Sequence, residues 1–241
     1  MSRLRIDEYA RVNGAAWERH ARQRLATETH SPGNPPDRLR WTQLQGLGPS
    51  LELLGDLAGR RVVELGCGPG DNLACVHERG ASAAVGVDIS VGQIARARLR
   101  WGRLPRISFV VDDARAFLVD NDATFDVCLS VFGAIGLCPP GQLLPLIAAR
   151  LRVGGVLAFS VRHPTAVHSQ RLLLADDCQM PIVSYHPCST SDWITLAVAS
   201  GLQVSATREL RFPGRVVPSC LIVQAVRSGA GSRGEVGSRG S

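Results

Sequence analysis

The chain has 241 residues, 45% hydrophobic and 20% charged, the proportions of a globular protein long enough to bury a core. No uninterrupted apolar run reaches the roughly 18 residues of a membrane-spanning helix, and Met1 to Glu8 lacks the apolar centre of a signal peptide, so a cytoplasmic location is expected. The formal charge of +6 rests on 27 arginines and no lysine, scattered without a clustered tract, a distribution that argues against a nucleic-acid-binding surface.

From the N-terminus, residues 1 to about 30 read as a helix with Tyr9, Val12, Ala15 or Ala16, and His20 or Leu25 near one face. Ser31-Pro32-Gly33-Asn34-Pro35-Pro36 is a loop by its Pro and Gly content. Residues 41 to 57 read as a helix interrupted by Gly46-Leu47-Gly48-Pro49. Strands are predicted near 61–65, 83–87, 107–111, 126–131 and 155–161, with helices near 71–79, 90–101 and 141–151. This alternation predicts an α/β fold, a doubly wound and mostly parallel sheet with ligands beyond the carboxyl ends of its strands. The region 166–187 breaks the alternation and is expected to cover a substrate pocket. A helix capped by Ser189-Thr190-Ser191-Asp192 and ended by Gly201, then strands over 202–210 and 216–226, should close the domain. Residues 228–241, rich in Gly, Ser and Arg, are expected to be disordered. The cysteines at 67, 75, 128, 138, 178, 188 and 220 are odd in number and lack C-x-x-C spacing, so neither a zinc site nor a disulfide framework is expected.

The stretch Glu64-Leu65-Gly66-Cys67-Gly68-Pro69-Gly70-Asp71-Asn72 joins a buried strand to a helix through a tight glycine turn. The dinucleotide pattern G-x-G-x-x-G fails, because Asp71 stands where its third glycine would fall, and no phosphate-binding G-x-x-x-x-G-K-[ST] is present. An acid at Glu64 would repel a pyrophosphate and suits a ligand with positive charge, such as S-adenosylmethionine with its sulfonium and ammonium groups. On these residues the chain resembles the class I S-adenosylmethionine-dependent methyltransferases. Further motifs follow in register at Gly86-Val87-Asp88-Ile89-Ser90, Val110-Val111-Asp112-Asp113-Ala114, Phe125-Asp126-Val127-Cys128-Leu129-Ser130 and Leu151-Arg152-Val153-Gly154-Gly155-Val156-Leu157.

The resemblance implies a seven-stranded Rossmann-like sheet with an antiparallel last strand. It implies a lid over residues 1–40, a catalytic domain over 41–227, and S-adenosylmethionine as cofactor. Its implied cofactor residues are Glu64, Gly66, Cys67, Gly68, Gly70, Asn72, Asp88, Ile89, Gln93, Asp112, Asp113, Ala114 and Ser130, with Asp88 at the ribose and Asp113 near the adenine amino group. Tyr9, Trp17, Phe132 and His163 are substrate candidates, joined on the lid by Asn13 and His20. His163, after strand five, is the candidate base, with His20, His168 and His186 weaker ones. No metal is expected, because Leu129-Ser130-Val131-Phe132-Gly133 lacks the acids of metal-dependent O-methyltransferases. The same segment lacks the [DN]-P-P-[YF] of amino-group nucleic-acid methyltransferases, and Cys138-Pro139 reverses the Pro-Cys order of cytosine C5 enzymes. The expected reaction is methylation of a nitrogen or oxygen of a small molecule in bacterial secondary metabolism, with a homodimer possible. An RNA or protein methyltransferase, and a protein of this fold that transfers no methyl group, are the alternatives.

Overall fold

A computed structural model describes residues 8–28, 33–42, 44, 46–166 and 186–229 of the chain. Most of the expected pocket-covering region, His168 included, and most of the expected tail fall outside these residues.

Seven strands form one sheet: β1 (Arg61–Leu65), β2 (Ala83–Asp88), β3 (Ile107–Val111), β4 (Phe125–Val131), β5 (Leu151–Arg162), β6 (Leu202–Leu210) and β7 (Cys220–Arg227). Their order is β3-β2-β1-β4-β5-β7-β6. Strands β1 to β5 run parallel to one another, while β7 runs antiparallel between β5 and β6. The order reverses between β1 and β4, and strand ends diverge there to open a crevice.

Period-two alternation sends successive strand residues to opposite faces. Val63, Leu65, Cys128, Leu157 and Phe159 pack on one face beneath α4 (Ala114–Asp120), α6 (Pro140–Arg150) and α7 (Thr190–Ala199). Val62, Val127, Leu129 and Ala158 pack on the other, against Trp41 and the 3-10 turn Leu51–Leu54. Helices α2 (Asp71–Glu78) and α3 (Val91–Trp101) cover β2 and β3 through Leu73, Ala74, Ile94, Ala97 and Trp101, packed with Ala84 and Phe109. A short α5 (Ala134–Leu137) follows β4.

The N-terminal helix α1 (Glu8–Thr27) buries Ala10, Asn13, Ala16 and Ala21, a stripe of small residues offset from the one that the sequence suggests. Close helix packing explains the offset. A Cβ added to Gly92 of α3 would lie 2.8 Å from that of Ala21, and one added to Gly14 would meet Ile89 at 3.4 Å. Tyr9 is instead 40% exposed.

Three expectations need correction. Among the described residues of 41–57 only Leu51–Leu54 is helical, because Gly46 and Gly48 take positive φ of 78° and 117° before Pro49. Strand β5 begins at Leu151 rather than 155, paired with Phe125 ahead of a register shift. Strand β7 begins at Cys220 rather than 216, after Pro213 and Pro218, which have no amide proton to give a ladder. Helix α4 was not anticipated at all.

Candidate functional site

A cavity of about 540 Å³ opens at the switch point, roofed by α1 and floored by the loops after β1, β2, β3 and β4. Two loops hold its centre. Gly66 (φ 75°) passes so close to the β4 loop that an added Cβ would sit 2.6 Å from Ala134 N, and one on Gly133 would sit 2.4 Å from the Leu65 carbonyl oxygen. The Ser130 hydroxyl donates to that carbonyl at 2.8 Å and accepts from Ile135 N at 3.3 Å. Phe132 takes φ 46°, a strained conformation for a residue with a Cβ, of the kind that gathers at functional sites. This strained turn places Val131, Phe132, Gly133 and Ala134 on the cavity wall.

Glu64 lines the cavity and is 2% exposed. Asn72 donates to its Oε1 at 3.3 Å, while Oε2 is buried with no partner among the described residues. Burial pushes its pKa from 4.5 up to about 8, partly offset by the Asn72 hydrogen bond and reinforced by Asp71 and Asp88. Asn72 is itself aligned, accepting from Arg40 N at 2.8 Å. An unsatisfied carboxylate oxygen in a buried cavity fits a cationic donor.

Beside it, Gly68 (φ 51°) has nothing within 4 Å of an added Cβ, so the turn leaves open space at the cavity floor. Gly68 N donates to Asp88 Oδ2 and Ser90 N to Oδ1, each at 2.9 Å, which fixes the carboxylate at the end of β2. Desolvation raises Asp88 from 3.8 to about 6 against these two hydrogen bonds. Each oxygen keeps a second lone pair for a hydroxyl donor.

Ile89, Gln93, Asp112, Asp113 and Ala114 complete the β2 and β3 side of the cavity. Asp113 also caps α4, accepting from Arg115 N at 2.9 Å and Ala116 N at 3.3 Å, and pairs with the Arg115 side chain. Cys67 lies on the wall with its thiol pushed far up by burial, which suits a compact filler rather than a nucleophile.

The roof is tied down. Glu18 accepts from Ser90 Oγ and Gly92 N, each at 2.8 Å, and so caps α3 from α1. Asn13 donates to the Leu137 carbonyl at 3.1 Å, and Glu28 pairs with Arg96. Asn13, Trp17 and His20 line the cavity.

Several sequence candidates lie elsewhere. Ser130 holds backbone behind the wall, and Gly70 caps α2 with φ 78° facing Phe109. Tyr9 stacks near His186 at 4.7 Å. The imidazole of His163 sits between Thr165 Oγ1 at 2.6 Å and Glu209 Oε1 at 3.3 Å, away from the cavity. The structure thus does not bring the expected base to the cavity wall. It does bring four arginines there, Arg24, Arg40, Arg96 and Arg100, which sequence reading missed. Among the described residues no group of three or more His, Cys, Asp or Glu side chains could hold a metal ion, and no helix is long and apolar enough to cross a membrane.

The strand order, with the glycine turn after β1 and the acids at the ends of β2 and β3, defines a Rossmann-like α/β fold. Residues 62–155 match the family model described as a methyltransferase domain. A curated relative, trans-aconitate 2-methyltransferase of Methylobacterium radiotolerans, is 33% identical over 131 residues, 53% of this chain and 48% of the relative. The chain thus spans about half the length of the curated relatives it matches. Among solved structures, an S-adenosylmethionine dependent methyltransferase from Mesorhizobium loti aligns with a TM-score of 0.59 and 22% identity, covering 73% of this chain and 94% of that one. The 1,6-didemethyltoxoflavin-N1-methyltransferase of Burkholderia thailandensis, solved with 1,6-didemethyltoxoflavin and S-adenosylhomocysteine, aligns with a TM-score of 0.53 and 21% identity, covering 71% and 72%. Over residues 62–155 the chain is thus similar to the methyltransferase domain family, and its fold is that of S-adenosylmethionine dependent methyltransferases.

Proposed function

We propose that the protein transfers a methyl group from S-adenosylmethionine to a nitrogen or oxygen of a small molecule. The observation that carries this reading is the buried Oε2 of Glu64, which lines the cavity without a partner among the described residues. It suits the ammonium of the cofactor's aminoacyl group, with Asn72 orienting the carboxylate. Gly68 leaves room for the chain that joins that group to the sulfur, and Asp88 offers its free lone pairs to the ribose hydroxyls. Ile89, Asp112, Asp113 and Ala114, on the same cavity wall, would hold the adenine. The cofactor supplies an electrophilic methyl group on a sulfonium.

The rest of the work is positional. In-line displacement needs the nucleophile held behind the methyl group and water kept away. Trp17, Phe132, Leu137 and Cys138 give the cavity an apolar side suited to an organic acceptor, and α1 roofs it. An amine acceptor needs no base beyond its own neutral form, in keeping with a cavity that His163 does not reach. A small acceptor is supported by the curated relative named for trans-aconitate, while another relative, the ribosomal protein L11 methyltransferase of Shewanella baltica, is named for a protein acceptor. A role in bacterial secondary metabolism fits the same reading.

Incubating the protein with methyl-labelled cofactor and a metabolite library, with RNA and ribosomal proteins as controls, tests it. Label in one or more small molecules and not in the macromolecules is the expected result. Label only in RNA or protein would overturn the small-molecule assignment.

A further inference from the structure

Among the described residues His20 is the one histidine that lines the cavity. It follows Asn13 and Trp17 at helical spacing on the face of α1 that forms the roof. Its ring meets Trp17 edge to face, with 5.6 Å between centroids and 87° between planes, a contact that fixes the imidazole in place. Nδ1 is buried with no hydrogen-bond partner among the described residues. Buried polar atoms are rarely left so, and in a side chain on a cavity wall such an atom points to a ligand that completes it.

The charged groups around the ring keep it neutral. Burial and then Arg24 on α1 and Arg96 on α3 lower its pKa from 6.5, while Glu28 acts the other way. A neutral imidazole carries the lone pair that a base needs. The carboxylates of the cavity are engaged elsewhere. Glu28 and Asp71 hold arginines, Asp88 holds two backbone amides, Asp112 accepts from the Asp113 amide, and Asp113 pairs with Arg115. A base has work only where the nucleophile keeps its proton at neutral pH, as a hydroxyl does and a neutral amine does not need.

We propose that His20 is the general base of the cavity and that the methyl acceptor presents a hydroxyl group to it. The proposal rests on the reading of the cavity as a methyltransferase site and selects oxygen from the two acceptor atoms. The acceptor's O–H bond breaks and its proton passes to the imidazole. The oxygen's electron pair forms the bond to the methyl carbon, and the S–CH3 bond breaks with its pair left on sulfur. The sulfonium charge vanishes as the imidazolium charge appears, so the net charge in the cavity is unchanged across the step. That balance offsets the cost that Arg24 and Arg96 set on a charged ring.

The test has two arms. In the first, NMR of protein with labelled histidine follows the ring nitrogens, His20→Gln assigns the His20 signal, and phenol or its methyl ether anisole is titrated into the S-adenosylhomocysteine-loaded protein. His20 should titrate below pH 6.5 in the free protein, and its ring nitrogens should respond to phenol and not to anisole. In the second, methyl-labelled cofactor is offered with phenol or aniline. His20→Gln should lower kcat on phenol about a hundredfold with KM little changed, and the acid limb of the pH profile should vanish with it. Imidazole added to His20→Ala should restore transfer, which a merely structural role does not predict. A ring that ignores phenol, equal kcat in wild type and His20→Gln, or methylation of aniline alone overturns the proposal. Where neither compound is methylated, the NMR arm decides, and His20→Asn stands in where His20→Gln fails to fold. Failure of wild type to bind S-adenosylhomocysteine is a separate outcome, which overturns the methyltransferase reading and the base with it.

Discussion

Asn72 donates to one oxygen of Glu64 at 3.3 Å and leaves the other buried in the cavity without a partner among the described residues. That half-satisfied pair sits where β1 ends and α2 begins, at the reversal of strand order. It gives the free protein a carboxyl that holds its proton up to about pH 8 and a cavity that favours a cation.

The first prediction concerns protons. A carboxyl whose pKa rises from 4.5 in the unfolded chain to about 8 when folded binds its proton more tightly in the folded state. Its contribution to stability is therefore fully present below pH 4.5 and is lost as pH rises to about 8. Melting temperature of the free protein should fall over this window, and Glu64→Gln should flatten the fall. A cationic ligand reverses the preference, so binding at pH 7 should release a proton. Calorimetry in buffers of different ionisation enthalpy checks this, and Glu64→Gln should abolish the release.

Two glycines of one turn should separate binding from folding. Gly66→Ala forces a Cβ against the Ala134 backbone at 2.6 Å and should lower the melting temperature by several degrees. Gly68→Ala meets nothing within 4 Å and costs only the left-handed backbone, about 1 to 2 kcal/mol. Gly68→Trp should fold comparably and lose nucleoside binding, because its ring occupies the cavity floor. Melting curves and titrations on the three proteins give the comparison.

Glu18→Ala removes the acceptor that joins α1 to Ser90 and Gly92 of α3. Loss of these two bonds should loosen the roof by about 1 to 3 kcal/mol. Hydrogen exchange should accelerate across Glu8–Thr27 and not in the strands, and nucleoside affinity should fall about fivefold or more.

His163→Ala removes the imidazole between Thr165 and Glu209. Its buried position away from the cavity predicts a loss of stability of about 1 kcal/mol with unchanged affinity for S-adenosylhomocysteine. A tenfold loss of affinity in a fully folded variant would place His163 in the site after all.

The first three strands were legible because they are short, largely apolar runs that end at or before a glycine or acid, and β1, β3 and β6 start and stop where the pattern predicts. Glu64, Gly68 and Asp88 were legible because one turn and one strand end bring them together over few residues. Helix α4 was not, since its cap residue Asp113 already carried another reading and only seven residues follow it. The arginines were hidden for a different reason. Arg24, Arg40 and Arg96 meet only through tertiary packing of α1 and the segment before β1 on α3, and local spacing records no such meeting. The offset stripe of α1 was missed because small residues marked the contact, and large ones drew the reading to the wrong face.

The most direct test of the account is calorimetric titration of S-adenosylhomocysteine into the wild-type protein and Glu64→Gln at pH 8. The account predicts binding at one site in the wild type and at least tenfold weaker binding in a variant that folds as well. Equal affinity in the two proteins, or no binding by the wild type, would contradict it.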